Sequence, residues 1–231
     1  MRVHVAFTPD ESAAAPTGVV IDVIRATSTI CQALASGYER VLCAAEVEQA
    51  RALRDSDGRV TLGGERLGVR IEGFDLGNSP REYLEPRSPV LAITTTNGTR
   101  AIVTAAARCE RVLIASLLNL GAVVEAAAAT GDDVAVFCAG VKGAFALDDA
   151  YVAGRVAEGL GGERSDAAEA ALRLARSYAT AEEAFRASRS GRNLINHGPE
   201  LEADIPYCAR ESVLTVVPQL QGMQGVAAEI A

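Results

Sequence analysis

The stretch Val19-Val20-Ile21-Asp22-Val23-Ile24-Arg25-Ala26-Thr27-Ser28-Thr29 constrains this chain more than any other. A continuous apolar run reads as a strand buried on both faces, which requires a sheet covered on both sides. The run ends against a carboxylate, a guanidinium and three hydroxyls, and a helical pattern follows to Gly37, a usual stop signal. In an open α/β sheet, ligands bind beyond the carboxyl ends of the strands, where helix N-termini offer free N–H groups. Arg25, Thr27 and Ser28 suit an oxyanion there, and Asp22 beside them points to a cation or a proton-transfer role. The plainer alternative is an Asp22–Arg25 ion pair and a set of helix caps.

Strand and helix patterns alternate through the next hundred residues, so the sheet is expected to be largely parallel and the class α/β. A second buried strand, Val90-Leu91-Ala92-Ile93, ends in Thr94-Thr95-Thr96-Asn97-Gly98-Thr99-Arg100. Glu39-Arg40-Val41-Leu42 returns as Glu110-Arg111-Val112-Leu113, 71 positions on. The constancy of that offset suggests an internal duplication, with pseudo-repeats over about 18–87 and 88–160. Duplication would set the two hydroxyl-rich strand ends side by side, Thr95, Thr96, Asn97 and Gly98 supplying the second half of an anion cradle. Between them, residues 63–80 are rich in Gly, Asn and Pro and read as a loop carrying Glu65, Arg66 and Asp75. Leu147-Asp148-Asp149 opens a long helix; acids there serve as dipole caps, or Asp149 as a metal ligand. Residues 161–212 read as a helical portion with a polar loop at Ser190–Gly198, and Val213–Val217 as a last strand. No linker composition interrupts the chain, so one domain over 1–231 is expected.

Composition removes whole classes of partner. The net charge of −8 and the lack of any Lys/Arg run disfavour nucleic acid and anionic membrane. No apolar run approaches the roughly 18 residues of a membrane span, and no signal core follows Met1, which makes the cytoplasm the expected compartment. The five cysteines are odd in number and widely spaced, as packed, reduced thiols would be. Known phosphate-handling patterns fail one by one. Six residues after each cysteine stand Gly37, Gln49, Ala115, Ala144 and Leu214, never the Arg of a cysteine phosphatase. Asp22 is followed two later by Ile24 rather than a second acid, and Lys142 by Gly143 rather than the Ser or Thr of a P-loop. Acids, arginines, hydroxyls and amides remain, the groups with which a divalent cation activates water against a small polyanion.

Taken together, the Asp22–Thr29 stretch, Gly64-Glu65-Arg66, Gly73-Phe74-Asp75-Leu76-Gly77-Asn78-Ser79-Pro80, Thr94–Arg100, Cys138-Ala139-Gly140 and Leu147-Asp148-Asp149 closely resemble the 2-phosphosulfolactate phosphatase family. The resemblance runs in order over about 18–218. It implies a three-layer α/β/α fold and a magnesium-dependent hydrolysis of 2-phospho-3-sulfolactate to 3-sulfolactate and phosphate, a step of coenzyme M biosynthesis. By the resemblance, Asp22, Glu65, Asp75 and Asp149 are the candidate Mg²⁺ ligands or bases. Arg25, Arg66, Thr27, Ser28, Thr95 and Thr96 would bind the phosphorylated, sulfonated or carboxylated substrate. Asn78 and Asn97 would orient it, and Arg192 and Asp204 would close the pocket. Water attacking phosphorus directly is the expected route, an aspartyl intermediate the alternative. Another phosphorylated 2-hydroxy acid, or a non-catalytic anion binder, is the competing reading, and a symmetric homodimer is the commonest state for such an enzyme.

Overall fold

The computed structural model describes all residues, 1–231. In chain order the elements are β1 (Arg2–Ala6), β2 (Thr17–Ile21), α1 (Ala26–Ala35), β3 (Arg40–Cys43), α2 (Val47–Ser56), β4 (Val60–Arg66) and β5 (Val69–Arg70). Then come β6 (Val90–Thr94), α3 (Gly98–Ala106), β7 (Arg111–Ala115), α4 (Leu120–Ala128), β8 (Val134–Cys138), α5 (Leu147–Leu160) and β9 (Glu163–Arg164). The last third holds α6 (Asp166–Arg176), α7 (Ala181–Ala187), α8 (Arg189–His197), α9 (Pro199–Glu202), α10 (Asp204–Cys208), β10 (Leu220–Gln224) and β11 (Ala227–Ile230).

The strands form two sheets, where a single one was expected. One has the order β7-β2-β8-β1-β9 and is parallel throughout; the other has the order β10-β11-β3-β6-β4-β5, with a parallel centre and antiparallel edges. Alternation along each strand divides its side chains between cores. Val19, Ile21, Val134 and Val136 pack with α4 to α7 on the outer face of the first sheet. Val20, Phe137, Val41 and Leu91 meet around Ile30 of α1 and Ile102 of α3. Leu42, Leu62 and Ala92 enclose Ala50 of α2. The first sheet thus carries helices on both faces, the three-layer α/β/α arrangement, and shares its α1/α3 layer with the second sheet.

Strand order repeats across the two sheets. β2 lies between β7 and β8, and β6 between β3 and β4, all parallel. Thr17 faces Arg111 as Val90 faces Arg40, and Arg40 and Arg111 are the residues 71 apart in sequence. Each half-chain contributes strands to both sheets: α1 leaves β2 in the first for β3 in the second, and α3 makes the reverse crossing. The ends of β2 and β6 consequently approach one another. A methyl group on Gly98 would stand 2.8 Å from the Ala26 Cβ and 3.0 Å from Asp22 Oδ2, so the first turns of α1 and α3 touch.

Three local expectations change. Gly63 and Gly64 belong to β4, and their lack of side chains admits the Tyr83 hydroxyl and the Thr94 carbonyl rather than a ligand. Ser190–Gly198 is largely helix: the Ser188 hydroxyl caps α8 by accepting from Gly191 N–H at 2.9 Å, and Gly191 is needed because a Cβ would overlap the Phe185 carbonyl. Val213–Val217 is irregular and runs past the edge of β7, while the closing strands are β10 and β11, the latter antiparallel to β3. Helix α5 crosses α6 closely, Gly154 lying against the Ala171 carbonyl. Gly154→Ala is expected to force these helices apart and lower stability by about 1–3 kcal/mol in denaturant titration.

Candidate active site

A cavity of about 390 Å³ opens where the ends of β2, β6 and β8 meet α8, within the range typical of small-molecule sites. Asp22, Arg25, Glu65, Asn78, Thr95, Thr96 and Asn97 all line it, so both strand ends picked out in the sequence arrive at one place. The hydroxyls between them have another task. Thr27 accepts from Asp22 N–H through its Oγ1 at 3.1 Å, and Ser28 donates to the Val23 carbonyl at 2.8 Å, folding the chain from strand into helix. Gly98 lies behind the cavity, at the contact of α1 with α3.

Arg25 is 4% exposed, and its guanidinium is fixed at two nitrogens: Nη1 donates to Asp204 Oδ2 at 2.8 Å and Nη2 to the Gly68 carbonyl at 2.9 Å. Asp204 is fully buried behind Arg25 and also accepts from the Ser79 hydroxyl at 2.5 Å, so it orients the guanidinium rather than closing the pocket. Glu65 ties the β4–β5 hairpin to the end of β6. Its Oε1 accepts from Thr96 N–H and Oγ1 at 2.9 and 2.8 Å, its Oε2 from Gly68 N–H at 2.7 Å.

Asp149 and its neighbour Asp148 divide the work differently from the expectation. Asp149 Oδ1 accepts from Val23 N–H at 2.9 Å and its Oδ2 from Gly140 N–H at 3.0 Å, joining the ends of β2 and β8. Asp148, read from sequence as a cap alone, lines the cavity at 1% exposure with no hydrogen-bond partner for its Oδ1. Asn78 Oδ1 and Thr95 Oγ1, buried in the same walls, are also unpartnered. Burial, then the charges of Asp148 and Glu65, push Asp22 up to about 7. Burial pushes Asp148 up to about 6 against the opposing Ser190 hydroxyl, and burial with the Asp148 and Asp22 charges raises Asp149.

Besides Thr27, Ser28, Gly98 and Asp204, three more expected site residues lie outside the cavity. Asp75 is outside the cavity, because its Oδ2 accepts from Leu62 N–H at 2.8 Å and pairs with Arg54 at 3.0 Å. Arg66 turns away from the cavity to the Glu65 and Ala45 carbonyls and the Thr94 hydroxyl. Arg192, on the exposed side of α8, donates to the Ala187 carbonyl. In their place α8 offers Arg189, Ser190, Asn193 and His197, and the loop after β8 offers Lys142. The signal for α8 was its apolar Leu194 at helical spacing from Gly191 and Ser190, outweighed by the Gly and Asn content of the segment. Cys138 is buried and its thiol is raised well above its ordinary value by burial and the Asp149 and Asp148 charges, as in a packed, unreactive side chain.

Residues 4–223 match the family described as 2-phosphosulpholactate phosphatase. A protein of Thermus thermophilus named "Probable 2-phosphosulfolactate phosphatase" is 41% identical over 98% of both chains. A protein of the same name from Symbiobacterium thermophilum is 42% identical over 91% of this chain and 93% of its own, and one from Clostridium botulinum is 34% identical over 88% of each. The chain belongs to the 2-phosphosulfolactate phosphatase family. This membership makes it a phosphoric monoester hydrolase, and no helix is long and apolar enough to cross a membrane.

For a phosphatase, the donor set bears on a metal. No three acids, histidines or cysteines converge as a ready-made cage, and Asp75 is too far engaged elsewhere to join one. Magnesium, however, is commonly held by one or two carboxylates together with water and substrate phosphate oxygens. Asp22 and Asp148 both line the cavity, and Asp148 Oδ1 and Asn78 Oδ1 lack any other partner. An all-oxygen pair with spare acceptors fits that ion.

Proposed function

We propose that this phosphatase hydrolyses 2-phospho-3-sulfolactate to 3-sulfolactate and phosphate in a magnesium-dependent reaction, the step required for coenzyme M biosynthesis, with Asp22 and Asp148 as cation ligands. The observation that carries the proposal is that Asp22, Asp148 and Asp149, all buried, line the same cavity as Arg25. Three carboxylates in low dielectric cannot all stay ionised without added positive charge. A magnesium ion would supply that charge, lower the pKa of water and neutralise the phosphoryl oxygens. Arg25, held by Asp204 and Gly68, offers its remaining N–H groups to the transferring phosphoryl group. Asn78 and Thr95 orient the substrate, and Asp149 keeps the two strand ends in register as the phosphorus–oxygen bond breaks. The substrate is supported by the relatives' names and by a small, cation-bearing cavity.

Phosphate release from 2-phospho-3-sulfolactate, 2-phospholactate and phosphoglycolate, with magnesium and with chelator, tests the reading. Release from the first in magnesium alone is the expected result, and release that survives chelator would remove the metal from it. Stability gives an independent check. Asp22 and Asp148 hold protons more tightly folded than their ordinary value of 3.8 allows in the unfolded chain. Between about pH 4 and 7 the folded state therefore binds more protons, and stability falls as pH rises through that window. In chelator, Tm is expected to drop by about 5 °C between roughly pH 5.5 and 8, and magnesium to restore it at the higher pH. Asp22→Asn should flatten the profile; a parent profile already flat in chelator would contradict the buried cluster.

A further inference from the structure

The cavity is polarised from floor to rim. Its floor holds buried acids and the unpartnered oxygens of Asn78, Thr95 and Asp148. Its only buried cation, Arg25, is already paired with Asp204. Its rim holds two exposed cations, Lys142 and Arg189, and neither side chain has an acid or hydrogen-bond partner anywhere in the chain. That is unusual here, because acids outnumber bases by 30 to 22 and most arginines on the surface are paired.

Lys142 is also the sole lysine beside 21 arginines. It stands at φ +54° in a tight turn whose Val141 and Ala144 exchange both backbone hydrogen bonds, at 2.9 and 3.1 Å. Its own N–H donates to Asn97 Oδ1 at 3.2 Å, which ties the turn to the end of β6. Left-handed backbone is uncommon for a residue other than glycine, so the turn holds Lys142 in a conformation that its side chain does not favour. Arg189 comes from a different element, at the start of α8, held by the Ser188 cap.

We propose that Lys142 and Arg189 are the specificity-determining pair of this site: they bind the two anionic groups of the substrate that are not hydrolysed, its carboxylate and its sulfonate, and set the preference for phosphate monoesters that carry such groups. The assignment rests on the phosphatase reading of the cavity floor. A simple phosphate monoester would occupy the floor and leave both rim cations solvated, whereas a carboxylate or sulfonate on the same short carbon frame would engage them. The preference then comes from an attraction that only a substrate carrying the further anions gains at the rim.

Steady-state kinetics on 2-phospho-3-sulfolactate and on isopropyl phosphate, which lacks both further anions, test the pair in the parent and in Lys142→Gln, Arg189→Gln and the double variant. The ratio of kcat/KM between the two substrates is expected to fall by about tenfold per cation, mainly through KM. Lys142→Arg should retain most of the preference. If both substrates lose activity in parallel, the residues are merely structural and the proposal is overturned. If the parent hydrolyses neither, the phosphatase reading fails by itself, and the pair is then read by calorimetric titration with 3-sulfolactate. At least tenfold weaker binding to the double variant sustains the assignment; equal affinity, or no binding to the parent, overturns it.

Discussion

Asp204→Ala is expected to destabilise the protein by about 3–5 kcal/mol and to lower Tm by about 10 °C or more. The Arg25 guanidinium is almost wholly buried, and Asp204, with no exposed surface, is its charge partner at 2.8 Å. Removing the carboxylate leaves a cation in low dielectric with only the Gly68 carbonyl as a hydrogen-bond acceptor, and also strips the Ser79 hydroxyl of its acceptor. Asp204 anchors α10 through these contacts, so helix and guanidinium would loosen together. Asp204→Asn keeps an oxygen for Arg25 and should cost less in stability while still weakening the fixed orientation of the guanidinium. A double replacement, Arg25→Met with Asp204→Leu, removes both charges. By the general behaviour of buried pairs it should recover much of the lost stability and yet remain inactive. That pattern would mean the pair is kept for catalysis at the expense of stability. An unchanged midpoint for Asp204→Ala in denaturant would mean that Asp22 or Glu65 already neutralises Arg25.

The sequence was most informative where chemistry and periodicity coincide. The apolar run before Asp22 and the one before Thr94 are strands buried on both faces, and each ends in the cavity. The Glu-Arg-Val-Leu repeat marks β3 and β7, which occupy matching places in the two sheets. That there are two sheets was not legible, because alternation reports burial and not which neighbour a strand finds. Gly63 and Gly64 looked like a ligand-binding loop because a glycine required by close strand packing has the same letter as one required by a turn. Asp75 sits in a motif with Asn78, but a turn of the chain sends one carboxylate to Arg54 and the other side chain to the cavity. Asp148 and Asp149 are neighbours in a first helical turn, so about 100° of helix rotation separates a free oxygen from a saturated one, and composition contains no trace of it.

That rotation leads to the sharpest functional expectation. Asp148→Asn should reduce kcat by at least about 100-fold, the scale of losing a group that acts on the reacting centre, while leaving the fold intact. Asp148 Oδ1 has no partner to lose, and replacing a buried charge by an amide relieves repulsion with Asp22 and Asp149, so stability in chelator should rise. Asp149→Asn should behave in the opposite sense. Both of its oxygens accept backbone N–H groups, and an amide would set a donor against Val23 or Gly140, at a cost of about 1–3 kcal/mol. Its loss of activity should therefore follow its loss of structure. Asp75→Asn, outside the cavity, should keep nearly all activity. Magnesium titration of the metal-free protein separates the three further: Asp148→Asn alone should require a much higher ion concentration to raise Tm. Should Asp149→Asn instead lose ion binding while remaining fully stable, with Asp148→Asn active, Asp149 is the cation ligand and Asp148 the structural carboxylate.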